Sequence, residues 1–420
     1  MANVSLPSGR VPVVADVDVA VIGGGSAGLA AAVAAARNGA DTLLIERFSY
    51  VGGLATGGLI VLLLTMDDGN GKQTVGGLCQ EIVDRMEQRD AVHYPPKERW
   101  NDPDAKLVED YRRWGLVWGS GPHRVRYSVA FQPQHFIFAA DDMLRESKVR
   151  VLYQTWACEP IVEDGRITAL VIQNKAGRQA VTAKTFIDAT GDGDVFAAGG
   201  EEFELERVHP WLWFQMSGTH NLDKAFESGK GLFFRSPGEG HTLIPWGGEA
   251  SAGRKIDATD PVETSEALAE CRLLVREEAA RLVESVPGFE KSYVSLMADQ
   301  LGVTESRRLV GEYVLGRDDL DAEFDDVVAR TGHWTKYDCV YNIPYRSLLP
   351  KKLDNLLVAG RCISADHRAH HATKEIPPCM ATGEAAGTAA ALAAKSGIIA
   401  GAIDVPALQQ QLRDQGAILE

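Results

Sequence analysis

Residues 366–379 read DHRAHHATKEIPPC, which places His367, His370, His371, Lys374 and Glu375 in one short stretch ahead of two prolines. Imidazoles titrate near neutrality and can take up or release protons with little tuning, while Lys374 and Glu375 add a cation and a carboxylate beside them. Acid–base chemistry on a bound small molecule is the use this composition suggests. On a helix, His367, His370 and His371 would share a face at i, i+3 and i+4 and could ligate a metal. Chain ahead of a proline avoids the helical region, however, so the sequence predicts a loop over 366–376 and no metal site. Pro377 and Pro378 suit the first turn of a helix, where no backbone N–H is needed, and that helix is expected to begin near Cys379.

The elements that must position this stretch begin at the other end of the chain. VDVAVI (17–22) is a short apolar run suited to a buried parallel strand, and it leads directly into Gly23-Gly24-Gly25-Ser26-Ala27-Gly28. An alanine-rich segment, 27–37, follows as a helix that stops at Asn38-Gly39, and DTLLIE supplies a second strand ending in Glu46. In this dinucleotide-binding arrangement Gly23 allows the tight turn, Gly25 lets backbone approach a pyrophosphate at the positive helix end, and Gly28 lets helix and strand pack closely. Glu46 can accept a hydrogen bond from a ribose 2′-hydroxyl. Further on, GGLATGG (52–58), FIDATGDGD (186–194) and NLLVAGRCIS (355–364) put small residues at two more strand ends and in one more loop. Glycine-marked strand ends gathered around one nucleotide fold describe FAD lying extended, since NAD needs no such additional segments.

With these segments, and with ESRRLVGEYVLGRDDL, IPYRSLLP and CMATGEAAGTAAALAA, the chain resembles FAD-dependent oxidoreductases of the glutathione-reductase-like superfamily, with fumarate-reductase-type relatives. The resemblance implies that Gly23, Gly25, Ser26, Ala27, Gly28, Glu46, Arg47, Gly53, Leu54, Ala55, Thr56, Gly191, Asp192, Arg361, Met380, Ala381 and Thr382 lie along the FAD, with backbone near Ala157 at the adenine edge. It also aims the helix after Pro378 at the flavin, where a positive helix end stabilises charge on the reduced ring, and Gly383 and Gly387 are expected to pack that helix against sheet and cofactor. The family's usual arginine at Lys374, apolar residues at Glu375 and near His370-His371, and basic residue at Thr304 are absent here, so a substrate cannot be inherited. His371, His370, His367, Lys374 and Arg307 are the expected catalytic or substrate-contacting residues.

The fold class expected is α/β: a Rossmann-like FAD-binding domain with a parallel sheet and a β-meander (149–189), plus an inserted α+β substrate domain. FAD-binding residues are 1–60, 131–198 and 350–420; 61–130 form a cap-like insert rich in Trp, Tyr, Pro and Arg; 199–349 form the substrate domain, whose aromatic alternating runs read as sheet. In extended chain Arg307 and Arg308 point to opposite faces, so only one can face the flavin. The helix-like run 263–285 carries charges suited to a solvated face.

A chain of 420 residues with 45% hydrophobic content supports two or three domains with a sizeable core. Its net charge of −15 argues against nucleic acid or an anionic membrane as partner. Six cysteines without CxxC spacing fit reduced thiols in the cytoplasm, and neither a signal pattern nor a spanning apolar run is visible. No second GxGxxG exists for NAD(P)H and no CxxC for a disulfide, and the tryptophan motif of halogenases is missing. The expected activity is therefore oxidation of a small alcohol or amine by hydride transfer to FAD, which O2 or a soluble carrier reoxidises; a homodimer is possible. The alternatives are an FAD monooxygenase or reductase of an unsaturated molecule, and an electron-transfer flavoprotein.

Overall fold

A computed structural model describes residues 9–248 and 253–420. Residues 1–8 and 249–252, which the N-terminal and substrate-domain expectations include, lie outside the described residues. The apolar run at 17–22 becomes the buried end of β1 (Val13–Ile22), and the other predicted runs supply β2 (Thr42–Ile45), β3 (Arg150–Leu152), β4 (Trp156–Glu163), β5 (Arg166–Asn174), β6 (Gly177–Asp188) and β7 (Leu356–Val358). They form one seven-stranded sheet in the order β3-β2-β1-β6-β5-β4, with β7 also paired to β6. β1, β2, β3, β6 and β7 run parallel, whereas β4, β5 and β6 form the antiparallel meander that the alternation predicts. Register brings the carboxyl ends level: Ile22 pairs with Ile45 and Asp188, Ile45 with Leu152, and Asp188 with Val358. Loops leaving all five parallel strands therefore converge on one edge, where open α/β sheets bind ligands.

The helices used below are α1 (Ser26–Arg37), α2 (Gly77–Glu87), α3 (Pro261–Ser285), α4 (His367–Thr373) and α5 (Ile376–Ser396). α5 starts at Ile376, slightly before the predicted Cys379, with its two prolines in the first turn. Gly383 and Gly387 face α1 rather than sheet or cofactor: a Cβ added at either would stand 2.1 Å from a backbone oxygen, of Ala27 and Ala31 respectively. The two helices are both so rich in alanine and glycine that their backbones meet almost without side chains between them.

On another side α5 sends Glu384 to α2, whose start at Gly76–Gly77 has no side-chain cap of its own. Glu384 Oε2 accepts from the Leu78 N–H at 2.9 Å and so caps α2 from a distant helix, while Oε1 has no partner. Burial pushes this carboxyl up to about 7. Because the folded value lies above the ordinary 4.5, the folded protein holds this proton more tightly, and stability falls as pH rises between those values. Glu384→Gln is expected to flatten that decline by on the order of 1–3 kcal/mol between pH 5 and 8; urea midpoints at both pH values measure it, and an unchanged slope would refute it.

The remaining chain adds a four-stranded antiparallel sheet, in the order Phe234–Arg235, Thr242–Ile244, Phe214–Ser217, Tyr293–Met297, and smaller sheets of two or three strands. One hydrophobic cluster joins Val21 of the main sheet with Leu62 and Tyr127 of the 61–130 segment and Phe214 of the 199–349 segment. Among the described residues, no helix is long and apolar enough to cross a membrane.

Candidate active site

A cavity of about 530 Å³ opens along the carboxyl edge of the sheet, a size within the usual range for small-molecule sites. Its wall takes Gly23, Gly25, Ser26 and Ala27 from the first strand end, Glu46, Arg47 and Phe48 from the second, and Thr155, Trp156 and Ala157 beside β4. Gly191, Asp192 and Arg361 come from the other two strand ends, and Gly53, Leu54 and Ala55 from the second glycine loop. Gly23 needs its φ of +95°, and a Cβ there would meet Ala189 O at 2.5 Å. Gly25 differs: a Cβ would meet nothing within 4 Å, so the chain is open to the cavity at the head of α1, which has no side-chain cap. Free N–H groups at that helix start suit an anion.

Glu46 is held in place by the first glycine loop and by its own. Its carboxylate accepts from Gly24 N–H and from Phe48 N–H, the latter at 2.7 Å. Arg47 lies between two rings, 5.1 Å from Phe48 and 5.4 Å from Trp156, and Trp156 is 55% exposed at the cavity mouth. Arg361 pairs with Asp192 at 2.8 Å, and its other nitrogen, Nη1, is buried without a partner.

Five residues expected along the cofactor stand outside the wall. Gly28 touches Gly23, where a Cβ would come within 1.7 Å of its carbonyl oxygen, so its smallness serves packing. Thr56 donates to Val51 O at 2.8 Å. Met380 is fully buried, Ala381 lies on a half-exposed face of α5, and Thr382 accepts from the Gly360 N–H at 3.1 Å, fixing the turn that carries Arg361.

The predicted loop at 366–376 is a helix. Asp366 caps α4 by accepting from Arg368 and Ala369 N–H, and the helix closes at Thr373, before the prolines act. The three histidines do share a helix, yet among the described residues no group of His, Cys, Asp or Glu gathers to hold a metal. α4 turns all three away from the cavity wall. His370 is 1% exposed; its Nε2 bonds Arg361 O at 3.0 Å, and burial, reinforced by the Lys374 charge, holds its pKa well below the usual imidazole range. His367 bonds Glu305 at 2.9 Å and is mostly solvated, while His371 stacks on Trp334 at 5.2 Å. His370 thus supports the turn that carries Arg361, and none of the three is among the residues that line the cavity.

Arg307 is also outside the wall. It bonds Asp192 O at 3.2 Å and pairs with Asp194 at 3.0 Å, tying down the glycine loop at 190–194, while Arg308 on the other face pairs with Glu305 at 2.6 Å and Glu204 at 2.8 Å.

Lys374 and Glu375 do reach the wall, because the chain leaves α4 there and enters α5 with Glu375 as the residue before the first turn. Lys374 Nζ stands 3.9 Å from Glu375 Oε1. Among the described residues no hydrogen-bond donor reaches the Glu375 carboxyl, and burial lifts it to about 7 despite the opposing lysine charge. Cys379 beside it is pushed up to about 12 by burial and stays a thiol. A carboxyl half-ionised at neutrality, facing a cavity next to a cation, can accept and return a proton.

The wall is completed by Ala258, Thr264 and Leu268 from before and within the start of α3, and by Asp299, Gln300, Leu301, Val303 and Thr304 from the chain after Met297; of these the sequence marked only Thr304, as the position where the resembled family carries a basic residue. Gln300 Nε2 lies 3.2 Å from Tyr50 OH and Gln300 N–H donates to Gly57 O, so the second glycine loop is what holds this segment in place. Phe48, Trp156 and Thr190 were findable as the neighbours of Arg47, Ala157 and Gly191. Residues 61–130 contribute nothing to the wall.

Against known proteins, the family model described as FAD dependent oxidoreductase matches residues 18–412. No curated protein sequence matches. Among solved structures, p-nitrophenol 4-monooxygenase from Pseudomonas putida DLL-E4 is 12% identical, with 95% of this chain and 84% of that chain aligned at a TM-score of 0.51. A geranylgeranyl bacteriochlorophyll reductase-like protein from Thermoplasma acidophilum is 16% identical over 95% of this chain and 83% of that chain, at a TM-score of 0.48. The first likeness shows a shared fold.

Proposed function

Because the chain belongs to the FAD-dependent oxidoreductase family, we propose that it oxidises a small alcohol or amine and that Glu375 is the base that takes the substrate's proton. It is an FAD-dependent oxidoreductase, and three features of the cavity fit that cofactor. Backbone at Gly25 is bare where a phosphate would approach, Arg361 Nη1 is a buried donor awaiting an acceptor, and wall residues come from every parallel strand end. In this reading Gly25, Ser26 and Ala27 hold the pyrophosphate, Glu46 the ribose, Arg47, Trp156 and Ala157 the adenine, and Gly53–Ala55, Gly191, Asp192 and Arg361 the span between.

Trp156→Ala tests the adenine end. Stacking of a base on an aromatic ring is worth about 1–3 kcal/mol, so apoprotein carrying this change is expected to bind FAD roughly tenfold more weakly or worse. Fluorescence titration measures it, and unchanged affinity would assign Trp156 to the surface.

When bound, FAD supplies a two-electron hydride acceptor. The protein's part is to orient the substrate, remove one proton and keep it from returning. Glu375 removes the proton, Lys374 donates to the substrate heteroatom, and Leu301, Val303 and Ile376 give that part of the wall an apolar surface. The observation that carries this reading is the half-buried Glu375 carboxyl in the cavity wall, 3.9 Å from Lys374 Nζ and without a hydrogen-bond donor among the described residues, which burial lifts to about 7. Anaerobic mixing of the yellow protein with a metabolite panel tests it: a true substrate bleaches the flavin with no other reactant. In a monooxygenase or an outward-delivering reductase, substrate alone leaves the colour unchanged.

A further inference from the structure

The charges around the cavity discriminate among substrates. Of the arginines near it, Arg361 is paired with Asp192, Arg307 with Asp194 and Arg308 with Glu305. Arg47 has no carboxylate partner, but it stands between Phe48 and Trp156, next to Glu46 at the nucleotide end. With Arg361 Nη1 assigned above to the cofactor, no guanidinium among the described residues of the wall is left to clamp a substrate carboxylate in the bidentate fashion such recognition uses. An ammonium group meets the opposite difficulty. The Lys374 side chain is only 14% exposed and its Nζ lies 3.9 Å from the Glu375 carboxyl, so a cation brought to that carboxyl would stand beside a second, poorly solvated one. Asp299 is the remaining wall carboxylate; it is exposed, where solvent and salt screen its pull. The other polar wall groups on this side, Thr264, Gln300 and Thr304, are neutral.

We propose that the substrate is a neutral alcohol, oxidised at its hydroxyl-bearing carbon to a carbonyl, and that Lys374 is the residue that selects it over an amine. This rests on Glu375 being the base. The hydroxyl donates to Glu375 and its oxygen accepts from Lys374, so both wall groups are satisfied by one uncharged function. In the reaction the O–H bond breaks and its proton goes to Glu375; the C–H bond breaks and its hydride, carrying two electrons, goes to oxidised FAD; the C–O bond becomes C=O. The lysine charge also stabilises the negative charge that gathers on oxygen as the proton leaves, which an amine does not develop.

The test uses FAD-loaded protein without O2 and sets matched in carbon skeleton, such as cyclohexanol, cyclohexylamine and cyclohexanecarboxylate, extended to polyols and their amino and acid analogues. Alcohols are expected to bleach the flavin and matched amines and acids to do so at least tenfold more slowly at pH 7.5. Lys374→Met should slow the alcohol by tenfold or more and narrow the gap to the amine, with Lys374→Arg restoring part of both. A second readout does not depend on turnover: unreactive tertiary alcohols or the product ketone should raise the thermal midpoint of the holoprotein, ammonium analogues should not, and Lys374→Met should reverse that order. Faster bleaching by amines or acids overturns the alcohol assignment, as does alcohol oxidation indifferent to Lys374→Met. If amines bleach the flavin and Glu375→Gln abolishes it, the base stands and only the substrate class falls; if Glu375→Gln changes nothing, the base itself is wrong.

Discussion

Glu375→Gln is expected to lower the rate of anaerobic flavin reduction by about 10²–10⁴-fold, the usual worth of a positioned general base, while the protein stays yellow. Glutamine keeps the size and polarity of the side chain but has no lone-pair base to offer at neutrality. The pH dependence is the sharper readout. Glu375 must be ionised to accept a proton, and its carboxyl sits at about 7, so the wild-type rate should rise with pH up to that region and level off above it. The variant should lose that rise along with the rate. Stability moves the other way: the folded value exceeds the ordinary 4.5, so folding favours the protonated form and the protein loses stability as pH climbs between the two. Glu375→Gln should therefore be relatively more stable than wild type at pH 8 than at pH 5, by on the order of 1–3 kcal/mol. His371→Ala is the control, because that ring stacks on Trp334 and does not touch the cavity. A rate that survives Glu375→Gln but collapses in His371→Ala would return the chemistry to the histidines.

Gly383→Ala and Gly387→Ala form the second large prediction, and its sign runs against ordinary helix chemistry. In an exposed helix, alanine in place of glycine gains about 1 kcal/mol. Here each new methyl would stand 2.1 Å from a backbone oxygen of α1, an obstacle that cannot rotate aside. Each change should cost about 1–3 kcal/mol as the helices are forced apart, and the pair should couple because both press on the same helix. FAD affinity should fall with stability at Gly383, whose neighbour Ala27 is part of the cavity wall. Gly401→Ala, where a Cβ meets nothing within 4 Å, should stay within about 0.5 kcal/mol of wild type. Urea midpoints for the three variants settle the matter; equal midpoints would mean that α1 and α5 have room to move.

The residues from Val17 to Glu46 specified their structure locally. A strand, a turn that needs positive φ at Gly23, a helix with a bare start and a strand ending in an acid all lie within one contiguous stretch, so each requirement is written next to the element it serves. The strand ends at Asp188 and Val358 were legible for the same reason, because parallel strands with glycine-marked exits have few other uses. The helix at 367–373 was not. Proline restricts the residue directly before it, here Ile376, and that restriction does not extend back over the whole segment; Asp366 supplies a cap strong enough to close a helix in the interval.

Composition alone shows that acid–base groups crowd the approach to α5, and the resemblance to FAD-dependent oxidoreductases implies that they do so near the flavin. Which of those groups faces the cavity was decided by packing: Glu305 and Trp334, far away in sequence, draw the histidines to the back of α4, and the chain's exit from that helix leaves Lys374 and Glu375 in front. The opposite wall, from Asp299 to Val303, had no local mark, since it is held by Tyr50 and Gly57 across some 250 residues of chain. Spacing fixes what neighbours along the chain can do; direction and burial belong to contacts between distant segments, and those contacts leave Lys374 and Glu375, and none of the three imidazoles, in the cavity wall.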